Sequence, residues 1–326
     1  MNSTIYDPFE KFSFDNNTCF LTGEKLDGNQ TLLPVFPKWI LDEYELHDKV
    51  FGMLDERTSF YGKLFLPASE KVVKAIQSLD SKVQKAILEG YEHLESISET
   101  ELFQWVGTIF YGILFNEIQA GVRQAAAQGE PMNFSNSLIH KFRNLHHMLI
   151  SLIEDYEFEH VNPFKVLVFD VENSPETFLY RDEVNTLIFS LRMKNIGLIV
   201  TLQDNGSSSI FHQELLEKLK GRKLQPIQFE EISAKFYYSA FLFNRLPEYS
   251  FMQVDGKTYV EPMPLQDFTQ KPLFDKWEVK TYGQVLENFW KPWGYTLFEI
   301  IKDPEKPMSF LFNENDEWVE KENIQV

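Results

Sequence analysis

Three polar side chains in the middle of the chain have the spacing of a helical site. His140, Asn144 and His147 fall at i, i+4 and i+7, on one face of a helix, and Ser151 and Glu154 continue that face. Such a cluster could bind a metal or work as an acid–base pair. Seven residues at a 1.5 Å rise, however, set the two imidazoles about 10 Å apart along the axis, too far to share one ion without a bend. His146 and Arg143 lie on a neighbouring stripe, and the simpler reading is a polar helix face with partly buried histidines. The second candidate is Asp170-Val171-Glu172, at the end of an apolar run. Side chains at i and i+2 share one face of a strand, so Asp170 and Glu172 resemble a metal-binding carboxylate pair. Acidic residues at strand ends are also common in plain loops.

Other chemistries find little material. No Gly-x-Ser-x-Gly elbow is present, and Gly206-Ser207-Ser208-Ser209 lacks the glycine spacing and lysine of a phosphate loop, so it reads as a loop. The only cysteine, Cys19, has no catalytic neighbours and cannot build a disulfide framework or a multi-thiolate metal site. Phe236-Tyr237-Tyr238 and Phe289-Trp290-Lys291-Pro292-Trp293 could form a stacking surface, but core packing is their simpler use.

The elements that must position these groups belong to a chain of 326 residues, of ordinary globular composition and sized for about two domains. Its formal net charge of −18 opposes a phosphate backbone, and no basic patch offsets it. The densest basic run, Lys218-Leu219-Lys220-Gly221-Arg222-Lys223, reads as a helix C-terminus with its stop. Acidic pairs such as Glu154-Asp155 and Glu230-Glu231 are scattered, a pattern that favours solubility. The first residues lack the pattern of a signal peptide, and the longest uncharged apolar stretch, Leu102 to Phe115, is too short to span a bilayer. A cytoplasmic protein with no membrane contact is expected, and glycosylation triplets such as Asn29-Gln30-Thr31 then carry no weight.

Helices dominate the first half. Val72, Ile76, Leu79, Val83, Ile87 and Leu94 give an amphipathic helix over 69–95, with Ser69 as N-cap. Ser98-x-x-Glu101 is a capping box opening a helix over 98–119 that is apolar nearly all round and so belongs in a core. Residues 124–131, with three alanines, Gly129 and Pro131, read as a connector, and a further helix runs from about 136 to 156. Ahead of these, Phe12-Ser13-Phe14 suggests a short strand, and Gly23 and Asp27-Gly28 mark turns. Beyond 160 the chain changes character. Residues 164–171 read as a buried strand, 187–191 and 196–202 as a hairpin about Met193-Lys194-Asn195, and Asp255-Gly256 as a second hairpin. Helices are expected over 211–219, 228–243 and 282–289, and short strands over 295–301 and 309–312. The class is α+β, with a sheet of much antiparallel character.

Two stretches early in the chain resemble a family. Cys19-Phe20-Leu21-Thr22-Gly23-Glu24-Lys25-Leu26, followed by Leu33-Pro34-Val35-Phe36-Pro37-Lys38-Trp39-Ile40-Leu41, is similar to the opening of bacterial HNH endonucleases of the zinc-ribbon type. That family places a Cys-x-x-Cys-Gly turn, a histidine before its Phe/Ile-Pro-Lys-Trp stretch, and a second Cys-x-x-Cys after a Val-Pro pair; Leu66-Pro67 followed by Ala68 to Val73 stands at the last position here. The segment Glu101–Glu117 also resembles the helix that follows, so the likeness covers about residues 12–120. It implies a histidine general base, a divalent ion on the phosphodiester and a structural zinc. The chain departs at each place. Thr22 replaces the second cysteine, Pro34 the base histidine and Leu33 its acidic neighbour, while 68–73 offers no cysteine. The family-position remnants are Cys19, Gly23, Lys38 and Trp39, chiefly turn and packing residues.

These departures lead to an expected organisation of a degenerate HNH-like domain over 1–95, a helical segment over 96–160 packed between the two ends, and an α+β domain over 161–326. The expected function is non-catalytic binding, without cofactor or metal, to a protein partner rather than nucleic acid. Two alternatives stand beside it: a hydrolase with its site relocated to the C-terminal part, using His147, Asp170 or Glu172, or an acidic, immunity-like inhibitor of a basic nuclease.

Overall fold

The computed structural model describes residues 5–27, 32–53, 57–129, 134–265, 270–303 and 305–324. Gly28, Asn29-Gln30-Thr31 and Pro131, singled out above, lie outside them. The class is α+β. In chain order the elements are β1 (Leu33–Pro34), α1 (Lys38–Glu43), β2 (Val50–Gly52), β3 (Thr58–Phe60), β4 (Phe65–Leu66), α2 (Glu70–Glu89), α3 (Tyr91–Glu95), α4 (Glu99–Gln128), α5 (Asn136–Leu149) and β5 (Tyr156–Phe158). There follow β6 (Lys165–Glu183), β7 (Ile188–Thr201), α6 (Ser207–Phe211), α7 (Gln213–Leu219), α8 (Pro226–Leu242), β8 (Tyr249–Val254), β9 (Lys257–Pro262), α9 (Val279–Trp290) and α10 (Leu297–Ile300).

Two compact units share the chain. The first is Met1–Lys165 with Leu246–Pro264, the second Val166–Arg245 with Leu265–Val326. In the first, α4 forms the centre, with Phe103, Val106, Phe110, Tyr111, Leu114 and Ile118 all at 1% exposure or less. Its start follows from sequence: Ser98 Oγ accepts the Glu101 amide. Around α4 stand small antiparallel pairs. Leu33 faces Leu66 and Pro34 faces Phe65 between β1 and β4, and Phe51 faces Ser59 between β2 and β3. The later segment returns as the β8–β9 hairpin turning at Asp255–Gly256, and β5 adds to β9 in parallel.

In the second unit a two-stranded sheet of β6 and β7 packs on α8, burying Ile188 and Ile199 with Phe229, Ile232 and Phe236. A further cluster joins α8 to α9 through Tyr238, Leu242, Tyr282, Leu286 and Trp290.

Several expectations need correction. Ile188–Thr201 form one continuous strand rather than a hairpin: Met193 is fully buried, and Lys194 stands within the strand at φ 51°. The strand expected at 164–171 runs on to Glu183, so Asp170 and Glu172 lie within it and not at its end. Residues 297–300 are helical because Thr296 and Glu299 cap each other, with the Thr296 amide donating to Glu299 Oε2 at 2.9 Å, and local capping overrides β propensity. Residues 309–312 contribute only the single bridge Phe312–Trp318, and 12–14 form no strand. Gly206–Ser209 opens α6, and helix α4 continues through the alanines to Gln128, as alanine propensity allows. The helix over 69–95 breaks at Gly90, whose φ of 105° suits glycine alone. Ser69 sits at the N-cap position without capping through its side chain. Glu230 and Glu231, read as part of a solubilising surface, are 2% and 0% exposed on α8.

Candidate binding site

The turn at Cys19 is closed by main-chain bonds: the Gly23 amide donates to the Cys19 carbonyl at 3.0 Å, and the Cys19 amide to the Glu24 carbonyl at 2.8 Å. Gly23 holds φ 71°, the left-handed region that glycine tolerates. Thr22 Oγ1 accepts the Glu24 amide, and Thr18 Oγ1 accepts Lys25 Nζ. The Phe20 amide donates to the Pro67 carbonyl at 2.8 Å, so this turn lies directly beside the residues preceding α2. Cys19 is fully buried. The donors that would complete a tetrahedral zinc site are missing: Thr22 and Ala68–Val73 supply no thiolate or imidazole. Among the described residues no group of three or more His, Cys, Asp or Glu could hold a metal ion. A structural zinc therefore does not fit this turn.

Pro34, at the place of the base histidine in the resemblance, lines a groove of about 400 Å³ with Val35, Ile76, Leu79, Trp105 and Ile109. Its chief polar feature is Asp80. The indole N–H groups of Trp39, on α1, and Trp105, on α4, both donate to Asp80 Oδ1, at 3.0 and 3.1 Å. One carboxylate oxygen thereby ties three helices together. Burial raises the Asp80 pKa from its ordinary value, and the two indole donors oppose this. Lys38, also on the groove wall, is exposed and paired with Asp42 at i+4. A proline cannot accept a proton, and among the described residues no imidazole lines the groove. Asp80 was open to detection: it lies at i+4 from Ile76 and i−3 from Val83, a carboxylate inside the apolar stripe of α2.

The three histidines of α5 meet different surroundings. His140 Nε2 lies 3.2 Å from the Pro247 carbonyl and 3.1 Å from Asn144 Nδ2. His146, off the chosen face, is fully buried and donates from Nε2 to the Phe20 carbonyl. His147 lines a second cleft, of about 570 Å³, with Tyr6, Asp7, Thr22, Glu154 and Phe251. Burial lowers its pKa to about 4, so the ring is neutral at pH 7, and Nε2 has no partner among the described residues. Arg143 pairs with Asp7.

Asp170 and Glu172 belong to the second unit, His147 to the first. The main chain of 170–172 bridges Leu224, the Leu224 amide donating to the Asp170 carbonyl and the Glu172 amide to the Leu224 carbonyl. Glu172 reaches outward to Lys321 at 3.3 Å and Lys223 at 3.9 Å. These two carboxylates and the α5 histidines are thus not built into one site within either unit.

No helix among the described residues is long and apolar enough to cross a membrane. No family model, no curated protein and no solved structure matches this chain.

Proposed function

We propose that this protein is a non-catalytic binding protein, cytoplasmic, built on a scaffold resembling that of HNH endonucleases, and acting on a partner other than nucleic acid. The observation that carries the reading is Pro34. It stands where hydrolysis needs a base, and it forms part of an apolar groove whose fixed charge, Asp80, has the sign of a phosphodiester. Two close negative charges repel, more strongly as water is excluded. The Cys19 turn supports the same reading, because hydrogen bonds and burial of Cys19 hold a loop that in the resembling family is held by metal. With its net charge of −18, the chain gains nothing from the counterion release that drives binding to nucleic acid.

The test has two parts. Elemental analysis of the purified chain is expected to give zinc well below one equivalent. Incubation with supercoiled, linear and single-stranded DNA or RNA in Mg²⁺ or Mn²⁺ is expected to leave the substrates intact. Stoichiometric zinc, or cleavage that follows the protein through purification, would overturn the reading.

A further inference from the structure

The Asp80 groove also has a preferred kind of ligand, and this inference deepens the binding function proposed above and rests on it. Asp80 uses one oxygen, Oδ1, for both indoles, and its other oxygen, Oδ2, meets no donor among the described residues. Among the described residues no lysine or arginine pairs with the carboxylate, and Lys38, the one basic residue among them on the wall, is paired with Asp42. A partly buried charge left without a counter-charge is costly, and the cost is recovered when a cation arrives. The surrounding wall is aliphatic and aromatic: Pro34, Val35, Ile76, Ile109 and the ring of Trp105. Its volume of about 400 Å³ lies in the range of small-molecule clefts, roughly 300–1,000 Å³.

We infer that this groove binds an alkylammonium group, with the cationic head on Asp80 and the alkyl chain along Pro34, Val35, Ile76 and Ile109. The indole donors fix the carboxylate in place before the ligand arrives, so little ordering is left for binding to supply. An alkyl chain ending in a carboxylate meets like charge, and one ending in a hydroxyl gains only a neutral hydrogen bond.

The experiment is a titration of the full ¹⁵N-labelled chain, followed through the indole N–H signals of Trp39 and Trp105, assigned with Trp39→Phe and Trp105→Phe. The probes are hexylammonium, hexan-1-ol, hexanoate and Nα-acetyl-lysine methylamide at low salt. Hexylammonium is expected to move both signals to saturation and to bind at least about tenfold more tightly than hexan-1-ol, a difference of ~1.4 kcal/mol. Hexanoate is expected to leave them in place. Asp80→Asn, which keeps an acceptor for the indoles, is expected to remove that tenfold advantage. Should this variant not fold, the comparison of amine, alcohol and acid on the unaltered chain still decides. Tighter binding of the lysine derivative than of hexylammonium assigns the group to a protein side chain, and the reverse to a free amine. Equal affinity for all three hexyl probes, or no movement of the two signals with either amine, would overturn the inference. Zinc content and cleavage, measured on the same preparation without probe, judge the broader reading separately.

Discussion

The Nε2–H of His146 donates to the main-chain oxygen of Phe20 at 2.9 Å, joining the middle of α5 to the turn that begins at Cys19. The imidazole is enclosed by Tyr6, Tyr111 and His147, with ring centroids 5.5–5.9 Å away. Burial holds its pKa at about 3, and the neighbouring His147 acts in the same direction.

That burial sets a pH dependence. The unfolded chain protonates His146 near pH 6.5, the folded chain only near 3, so between these values the unfolded state binds more protons. Stability is therefore complete above about pH 6.5 and falls as pH drops toward 3, by up to ~1.4 kcal/mol per pH unit for this one group. His147 and His212, each lowered to about 4 chiefly by burial, add with the same sign. Buried carboxyls oppose this, Asp182 being raised to about 6 and Glu230 and Glu231 raised as well, so the histidine contribution is read as the difference in pH slope between the unaltered chain and His146→Phe in urea unfolding at pH 7, 6 and 5. His146→Phe should lower stability at pH 7, because the Phe20 carbonyl loses its donor, and should flatten the pH slope.

Much of this framework was legible beforehand. The all-round apolar character of Leu102 to Phe115 pointed to a buried helix, and Asp255-Gly256 to a hairpin, because both signals are local. What stayed hidden depends on distant partners. Glu230 and Glu231 look like surface residues until β6 and β7 bring Arg181 and Arg192 to Glu230, and residues 309–310 supply donors to Glu231. Lys194-Asn195 imitates a turn, yet neighbouring packing keeps the strand continuous. The α5 histidines were correctly placed on a helix, but periodicity could not say which ring faces Phe20, which a cleft and which a carbonyl at Pro247.

Placing an imidazole at the position that the resemblance assigns to a base should not confer hydrolysis. Pro34→His puts a base at the end of β1, but Asp80 stays uncompensated in the groove and, among the described residues, no metal-ligating set adjoins it. The expected outcome is a folded variant without metal-dependent cleavage of DNA or RNA. An assay with Mg²⁺ and Mn²⁺ against the unaltered chain checks this, and cleavage above that background would show that the groove can support hydrolysis once it holds a base.

Gly23→Ala should destabilise the first unit. A methyl group there would sit 2.4 Å from Tyr6 Cδ2, and the residue would have to hold φ 71°. Left-handed strain costs about 1–3 kcal/mol for a non-glycine residue, and the clash adds to it unless Tyr6 moves. A lowered urea midpoint with an unchanged denaturant slope would locate the loss in the folded state. Gly256→Ala, also at positive φ but with open space around it, should cost less.

Glu230 carries the most consequential charge in the second unit. Its carboxylate lies 3.3 Å from Arg181 Nε and 3.4 Å from Arg192 Nε, and it is 2% exposed while the Arg192 side chain is 7% exposed. Burial raises the Glu230 pKa and lowers that of Arg192, and each group opposes the shift of the other. Removing one partner strands the other, so Glu230→Ala should cost about 3–5 kcal/mol. Arg181 should suffer less than Arg192, because it is partly exposed and also stacks over the Phe289 ring at 4.5 Å. Arg192→Met alone should be strongly destabilising, since it leaves the buried Glu230 carboxylate with Arg181 alone, whose side chain is partly exposed. Combined with Glu230→Leu it should recover most of the loss, because an apolar pair of similar volume no longer needs desolvated charges to find each other. A double-mutant cycle by chemical denaturation reads this directly. Additive losses would show that the two residues act independently and that the buried pair is not what holds β7 to α8.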